Sequence, residues 1–162
     1  AVGQGIEIAG MCDFTIASED AQFGEIQIRH GFPPPMLVTP FLVGPKHAKE
    51  LMMTGDLFDA QTALRMGLVN RVVPTDQLDE ATRAFAARLV SLPPTTVALN
   101  KLLVNRVHEL SGFLGGMQWR DDPVLNELAN ATRGDTVSAA RLDTLREQGW
   151  EAFKRERDEH HR

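Results

Sequence analysis

Ala1-Val2-Gly3-Gln4-Gly5-Ile6-Glu7-Ile8-Ala9-Gly10-Met11-Cys12-Asp13 opens the chain, and the reading of this stretch decides the fold. Gly3 and Gly5 suit a turn in which backbone approaches backbone or ligand closely, and Ile6, Ile8, Ala9 and Met11 supply the apolar side of a short buried helix. The pattern is that of a strand-to-helix turn whose strand is missing, and with Ala at position 1 it reads as the start of an N-terminally truncated chain. A turn of this kind leaves the first helical N–H groups without acceptors and sets the positive end of the helix dipole beside them, which suits an anion. Glu7 follows Gln4 by three residues, close to where an oxygen held by those amides would sit, and a carboxylate beside a polarised carbonyl is a general acid/base pattern. Tight helix packing, with a glutamate that merely complements the dipole, accounts for the same residues without chemistry.

Outward from this turn, Asp13–Ser18 alternates polar and apolar residues and reads as a short strand. Ala21–Gly24 reads as a second extended piece, and Glu25–Ile28 alternates again. Pro33-Pro34-Pro35 after Gly31 and Phe32 forbids both helix interior and sheet ladder and predicts a stiff loop. A PxxP-type ligand segment is the other use of such a run, but apolar stretches on both sides embed it in a domain. Beyond it the pattern turns helical. Pro45 starts a helix over 46–53 with Gly55 as its stop; Asp59 caps a helix over 60–66 ended by Gly67; Leu68–Val73 reads as a strand closed by Pro74. Leu78, Ala81, Phe85, Ala86 and Leu89 recur at helical spacing over 76–90. Pro93-Pro94 opens another helix with Val97, Leu99, Leu102, Leu103, Val107 and Leu110 on one broad side, and Gly112, Gly115 and Gly116 interrupt it. Helices are expected at 122–132 and, as one long charged element, at 137–159, followed by a solvated His160-His161-Arg162 tail.

Length and charge exclude several classes. With 162 residues the chain supports one core. Its 17 Lys and Arg against 22 Asp and Glu give a net charge of −5, the wrong sign for a phosphate-backbone binder, so no nucleic-acid partner is expected. Cys12 is the single cysteine, which excludes an internal disulfide framework and a multi-cysteine metal site and fits a reducing compartment, the cytoplasm. No apolar run is long enough to span a bilayer, so no membrane partner is expected. His30, His47 and His108 lack metal-ligand spacing and no metal is expected; Cys12, with no basic partner nearby in sequence, is expected in the core.

The order and spacing of these pieces carry more than any one of them. Ala1–Ala9, Cys12–Ser18, Ala21–Gly24, Gly31, Leu42-Val43-Gly44, Ala48–Leu51, Thr54-Gly55-Asp56 and the run Ala60–Pro74 together closely resemble the crotonase (enoyl-CoA hydratase/isomerase) family. Pro93-Pro94 and Gly149–Arg155 resemble the same family's downstream pattern. The resemblance implies an α/β fold, a crotonase-like ββα spiral lacking its N-terminal strands, with a helical C-terminal region. Residues 1–75 would be the C-terminal part of the spiral core with the acyl-CoA site, and 76–162 a helical region for oligomerisation and substrate covering. It further implies a homo-oligomer, a trimer or hexamer, and no cofactor, coenzyme A being part of the substrate.

The resemblance also assigns roles. In the family two backbone N–H groups hold the thioester oxygen and stabilise an enolate; the donor from the glycine turn falls on Gln4, between Gly3 and Gly5, and the other belongs to a segment that this chain does not contain. Gln4 replaces a glycine usual there, but a backbone donor needs only an N–H. Glu7 matches the first of the two glutamates with which hydratases hold and activate water. The second falls on Gln27, which cannot exchange a proton at neutral pH although its amide can position water or substrate. Glu25, two residues away and on the same face of an extended strand at about 7 Å, is the replacement acid or a solvated or ion-paired strand residue. Gln27 itself is a site residue or a packing residue. Phe32 and Met36 line the acyl pocket or pack the core. Lys154–Arg157 reads as a solvated face, with contact to coenzyme A phosphates the alternative. Hydration of a trans-2-enoyl-CoA to a 3-hydroxyacyl-CoA is the leading expectation; a single-carboxylate enoyl-CoA isomerase and a truncated, non-catalytic assembly subunit are the alternatives.

Overall fold

At Gly3 the backbone takes φ 55° and ψ −125°, a conformation any Cβ would strain, and its N–H donates to Gly24 O at 2.9 Å. The computed structural model describes residues 1–161, apart from the side chains of Arg133 and His160. From the Gly3 turn, α1 (Gln4–Met11) directs Ile6 and Glu7 inward. At 3.6 residues per turn only that side meets the core, so Ile8 and Met11, expected on a buried helix, are exposed instead, and so is Cys12. The Cys12 Sγ contacts Ile8 O at 3.4 Å rather than entering the core.

Two small sheets flank this turn. β1 (Ile16–Ser18) belongs to one and β2 (Gln22–Phe23) to the other. Of the stretch Glu25–Ile28, expected extended, all but Glu25 lie in a 3₁₀ turn over Ile26–His30: Gly31 in the left-handed region returns its N–H to the Gln27 and Ile28 carbonyls, closing the backbone on itself where the side-chain alternation suggested a strand. After the proline loop come α2 (Thr39–Leu42) and α3 (Gly44–Thr54), the latter with Pro45 in its first turn and Gly55 as a left-handed stop. β3 (Phe58–Asp59) runs antiparallel to β2 with Phe23 opposite Phe58. The Asp59 side chain then caps α4 (Ala60–Met66) by accepting the Thr62 N–H at 2.7 Å. Only Arg71–Val73 of the expected 68–73 strand is extended; this β4 lies parallel to β1 with Ile16 opposite Arg71, because Leu68 N–H still bonds back to Ala63 O in the helix stop. Ile6, Ala17, Phe23, Val43, Ala48, Leu51, Ala60, Ala63, Leu68 and Val69 form the core between these elements.

The remainder is helical: α5 (Leu78–Val90), α6 (Pro94–Leu110), α7 (Phe113–Met117), α8 (Pro123–Ala131), α9 (Thr136–Gln148) and α10 (Trp150–Asp158). The α5 stripe sits half-buried on β1, with Phe85 edge-on to Phe14 at 4.9 Å. Gly112 breaks the chain before α7, whereas Gly115 and Gly116 lie inside that helix. The single helix expected over 137–159 is two, divided at Gly149, whose φ of 83° is outside the helical range. The division lets α10 fold back, so that Phe153 is buried against Trp150 and the His30 ring. Arg157, expected on a solvated face, lies with its Nη2 2.5 Å from Asp158 Oδ2. Of the expected solvated tail, Arg162 and the His160 side chain lie outside the described residues, and His161 Nδ1 lies 2.8 Å from Asp56 Oδ1. Among the described residues no helix is long and apolar enough to cross a membrane.

Candidate active site

Glu7 stands in the first turn of α1, and its residue is wholly buried, at 0 % exposure. Its Oε1 accepts the Met36 N–H at 3.2 Å, while Oε2 is buried with no hydrogen-bond partner among the described residues. Burial pushes this carboxyl above the ordinary glutamate range, the Met36 N–H pulls it part of the way back, and the charge of Glu25 raises it further. At the start of the same helix Gly5 N–H bonds to Val2 O and Ile6 N–H to Gly3 O, whereas Gln4 N–H donates to no backbone acceptor among the described residues. An exposed residue at the head of a helix, Gln4 thus offers an unused donor one turn from a buried carboxylate.

Glu25 is not solvated, and among the described residues it has no ion-pair partner. It is 3 % exposed, its Oε1 accepts the hydroxyl of the buried Thr39, and its Oε2 has no partner. Burial raises its carboxyl above the usual range, against the hydrogen bond from Thr39 and the nearby amide of Gln27. The strand geometry that would set Glu25 and Gln27 side by side is absent, since Gln27 belongs to the 3₁₀ turn. Gln27 nevertheless enters the site: an added Cβ on Gly3 would lie 3.8 Å from its Cδ, and both amide atoms are buried without a full hydrogen bond.

Two cavities meet at Gln27 and Phe32. One of about 500 Å³ is bordered by Glu25, Phe32, Met52, Met53, Val137 and Arg141, so that α9 forms one wall. The other, about 300 Å³, is bordered by Gln4, Pro33, Pro35, Arg120 and Asn130. Thus Gln4, Gln27, Glu25 and Phe32 face cavities, Glu7 lies behind them in α1, and Met36 serves through its backbone N–H rather than its side chain. Sequence reasoning missed Thr39, Met52, Met53, Arg120 and Asn130. Thr39 is a hydroxyl just past a proline loop, with no local signal pointing 14 residues back to Glu25. Arg120 and Asn130 reach the site only through the path of the helical region.

The family model for enoyl-CoA hydratase/isomerase matches residues 1–113. The chain belongs to the enoyl-CoA hydratase/isomerase family. It is 40% identical over 108 residues to a crotonyl-CoA hydratase of Syntrophomonas wolfei, covering 65% of this chain and 42% of that protein. It is 37% identical over 134 residues to a putative enoyl-CoA hydratase of Thermus thermophilus, covering 81% of this chain and 50% of that one. The solved enoyl-CoA hydratase/isomerase of Xanthobacter autotrophicus Py2 superposes with a TM-score of 0.86 at 32% identity over 99% of this chain and 59% of that chain. The fold is accordingly the crotonase-type α/β fold, and the chain spans about half the length of the curated relatives it matches.

Proposed function

We propose that the protein containing this chain is an acyl-CoA-processing enzyme that hydrates a trans-2-enoyl-CoA to a 3-hydroxyacyl-CoA, working in the cytoplasm as a homo-oligomer. The observation that carries this reading is the juxtaposition, within one helical turn, of the unpaired Gln4 N–H and the buried Glu7 carboxyl. The Gln4 N–H donates to the thioester oxygen as charge develops on it, and the helix dipole adds to that stabilisation. Glu7, whose affinity for a proton burial raises, exchanges a proton with water at the β-carbon. Gly3 and Gly5 keep the turn open to the thioester, and the amide of Gln27 positions water or the acyl group. The apolar borders of the larger cavity, Phe32, Met52 and Met53, suit the acyl chain. Oligomerisation is supported by α6, where Leu99, Leu102, Leu103 and Val107 are all exposed.

A second reading, isomerisation of a 3-enoyl-CoA by Glu7 alone, is favoured by glutamine at position 27, since moving one proton between two carbons needs one carboxylate. An assay of the complete polypeptide with crotonyl-CoA and with a 3-enoyl-CoA separates the two. Hydration that falls by about 10²-fold or more in Glu7→Gln is the expected result. Isomerisation without hydration would favour the second reading, and no turnover of either substrate by folded protein would overturn both.

A further inference from the structure

Glu7 and Glu25 are both buried, and both are tied through a single oxygen to one short segment: Met36 N–H donates to Glu7 and, three residues on, the Thr39 hydroxyl donates to Glu25. In each carboxyl the second oxygen is buried and unpartnered. The bond from Gly3 N–H to Gly24 O holds the head of α1 against the residue preceding Glu25, and the charge of Glu25 is felt at Glu7. Among the described residues no lysine, arginine or histidine forms an ion pair with either. The groups that act on the pair as hydrogen-bond donors are the Met36 N–H, the Thr39 hydroxyl and the Gln27 amide, all neutral; the charged side chains that border the same cavity as Glu25 are Asp135 and Arg141, and Arg141 donates to Arg29 O rather than to either carboxyl. Two buried carboxylates that act on one another without a cation cannot both stay ionised at modest cost, and the arrangement that removes the cost is one proton carried by one of the two.

We propose that Glu25 is the second proton-carrying group of this site, sharing one proton with Glu7 and taking the part that glutamine at position 27 cannot. The inference rests on the hydratase reading above and deepens it. Glu25 borders the larger cavity, which sets a second carboxyl on the side of the site open to the acyl group. In hydration the water oxygen bonds C3 while the charged Glu7 takes one of its protons. The C2–C3 π pair moves toward the thioester carbonyl, and the protonated Glu25 then delivers its proton to C2. Water has been added across the double bond, and transfer of the proton from Glu7 to Glu25 resets the pair. Gln27 only orients the participants.

The test uses the complete polypeptide. In Glu25→Gln, kcat for crotonyl-CoA is expected to fall by about 10²-fold or more with little change in KM, and the pH profile to lose one of its two limbs. Glu25→Asp should recover part of the rate. Thr39→Val, which removes the hydroxyl but no carboxyl, should move that limb to higher pH while retaining most of kcat. A Glu25→Gln enzyme with kcat within about threefold of wild type and an unchanged profile would overturn the proposal. Side-chain carboxyl ¹³C NMR decides the pairing even without turnover: Glu7 should titrate at lower pH in Glu25→Gln than in wild type. Unchanged Glu7 titration would overturn the pair. Absence of wild-type turnover alongside coupled titration would sink the hydratase reading while leaving the proton-sharing pair supported.

Discussion

The buried end of α1 and the docked end of α10 place the same functional group in opposite settings. Glu7 and Glu25 sit without a cation, and burial drives both carboxyls above their ordinary range. Asp158 sits between two guanidiniums, accepting from Arg157 and, at 3.1 Å, from Arg29, which hold it down at about 2. Arg29 also donates through Nε to Gly55 O at 2.6 Å, so that this charged cluster ties α10 to the stop of α3 and to the 3₁₀ turn that carries Gln27. One arrangement costs stability and the other contributes it. A fold that only needed to persist would have no use for two uncompensated buried acids, which on the proposed reading are the part of the molecule shaped by chemistry rather than by stability.

Removing a site carboxyl should therefore have the larger and the less expected sign. Because the folded state raises the Glu7 value above 4.5, it holds a proton more tightly than the unfolded chain, and stability declines as pH rises from that value through the raised one. Glu7→Gln removes this penalty: urea denaturation near neutral pH should show a gain on the order of 1–2 kcal/mol, the scale of an uncompensated buried polar group, together with the loss of activity. A variant less stable than wild type at neutral pH would break the contrast. Asp158→Asn should act the other way. The folded value is depressed, so its contribution is complete above the ordinary 3.8 and is lost as pH falls through about 2. With the side chain 30 % exposed, solvent screening reduces the contribution to about 1 kcal/mol. Denaturation curves of variant and wild type should differ at neutral pH and converge in strong acid; a constant offset across that range would mean the aspartate acts through packing instead of charge.

Legibility in the sequence follows the range of the forces involved. Asp59 as a cap, Gly55 and Gly67 as stops and the half-buried stripe of α5 are set by neighbours within a turn or two, and each is read from residue type and spacing. Residues 25–28 misled because apolar Ile26 and Ile28 alternate with Glu25 and Gln27, while the decisive contact is the backbone closure by Gly31. At Gly149 a residue able to adopt positive φ divides what composition presents as one charged helix. Of the site, Glu7 and the Gln4 turn were legible because they are contiguous; the burial of Glu25 was not, since it depends on Thr39 across the proline loop. Cys12 shows the reverse error, an apolar-looking residue left outside because α1 ends there.

The smallest effect is expected where the apolar surface is greatest. The eight residues of α1 bury Ile6 and Glu7, whereas the seventeen of α6 bury none, and Leu102 is 64 % exposed. A leucine that touches little contributes little within its own chain, so Leu102→Ser should change the stability of the isolated chain by no more than about 0.5 kcal/mol. Its consequence should appear instead in light scattering of the complete polypeptide, as a lower mass, because an apolar helix face left bare within one chain is stabilised by what covers it in an assembly. A loss of several kcal/mol in the isolated chain would place Leu102 in an intramolecular core after all and would erase the distinction between a helix that builds the site and one that faces outward.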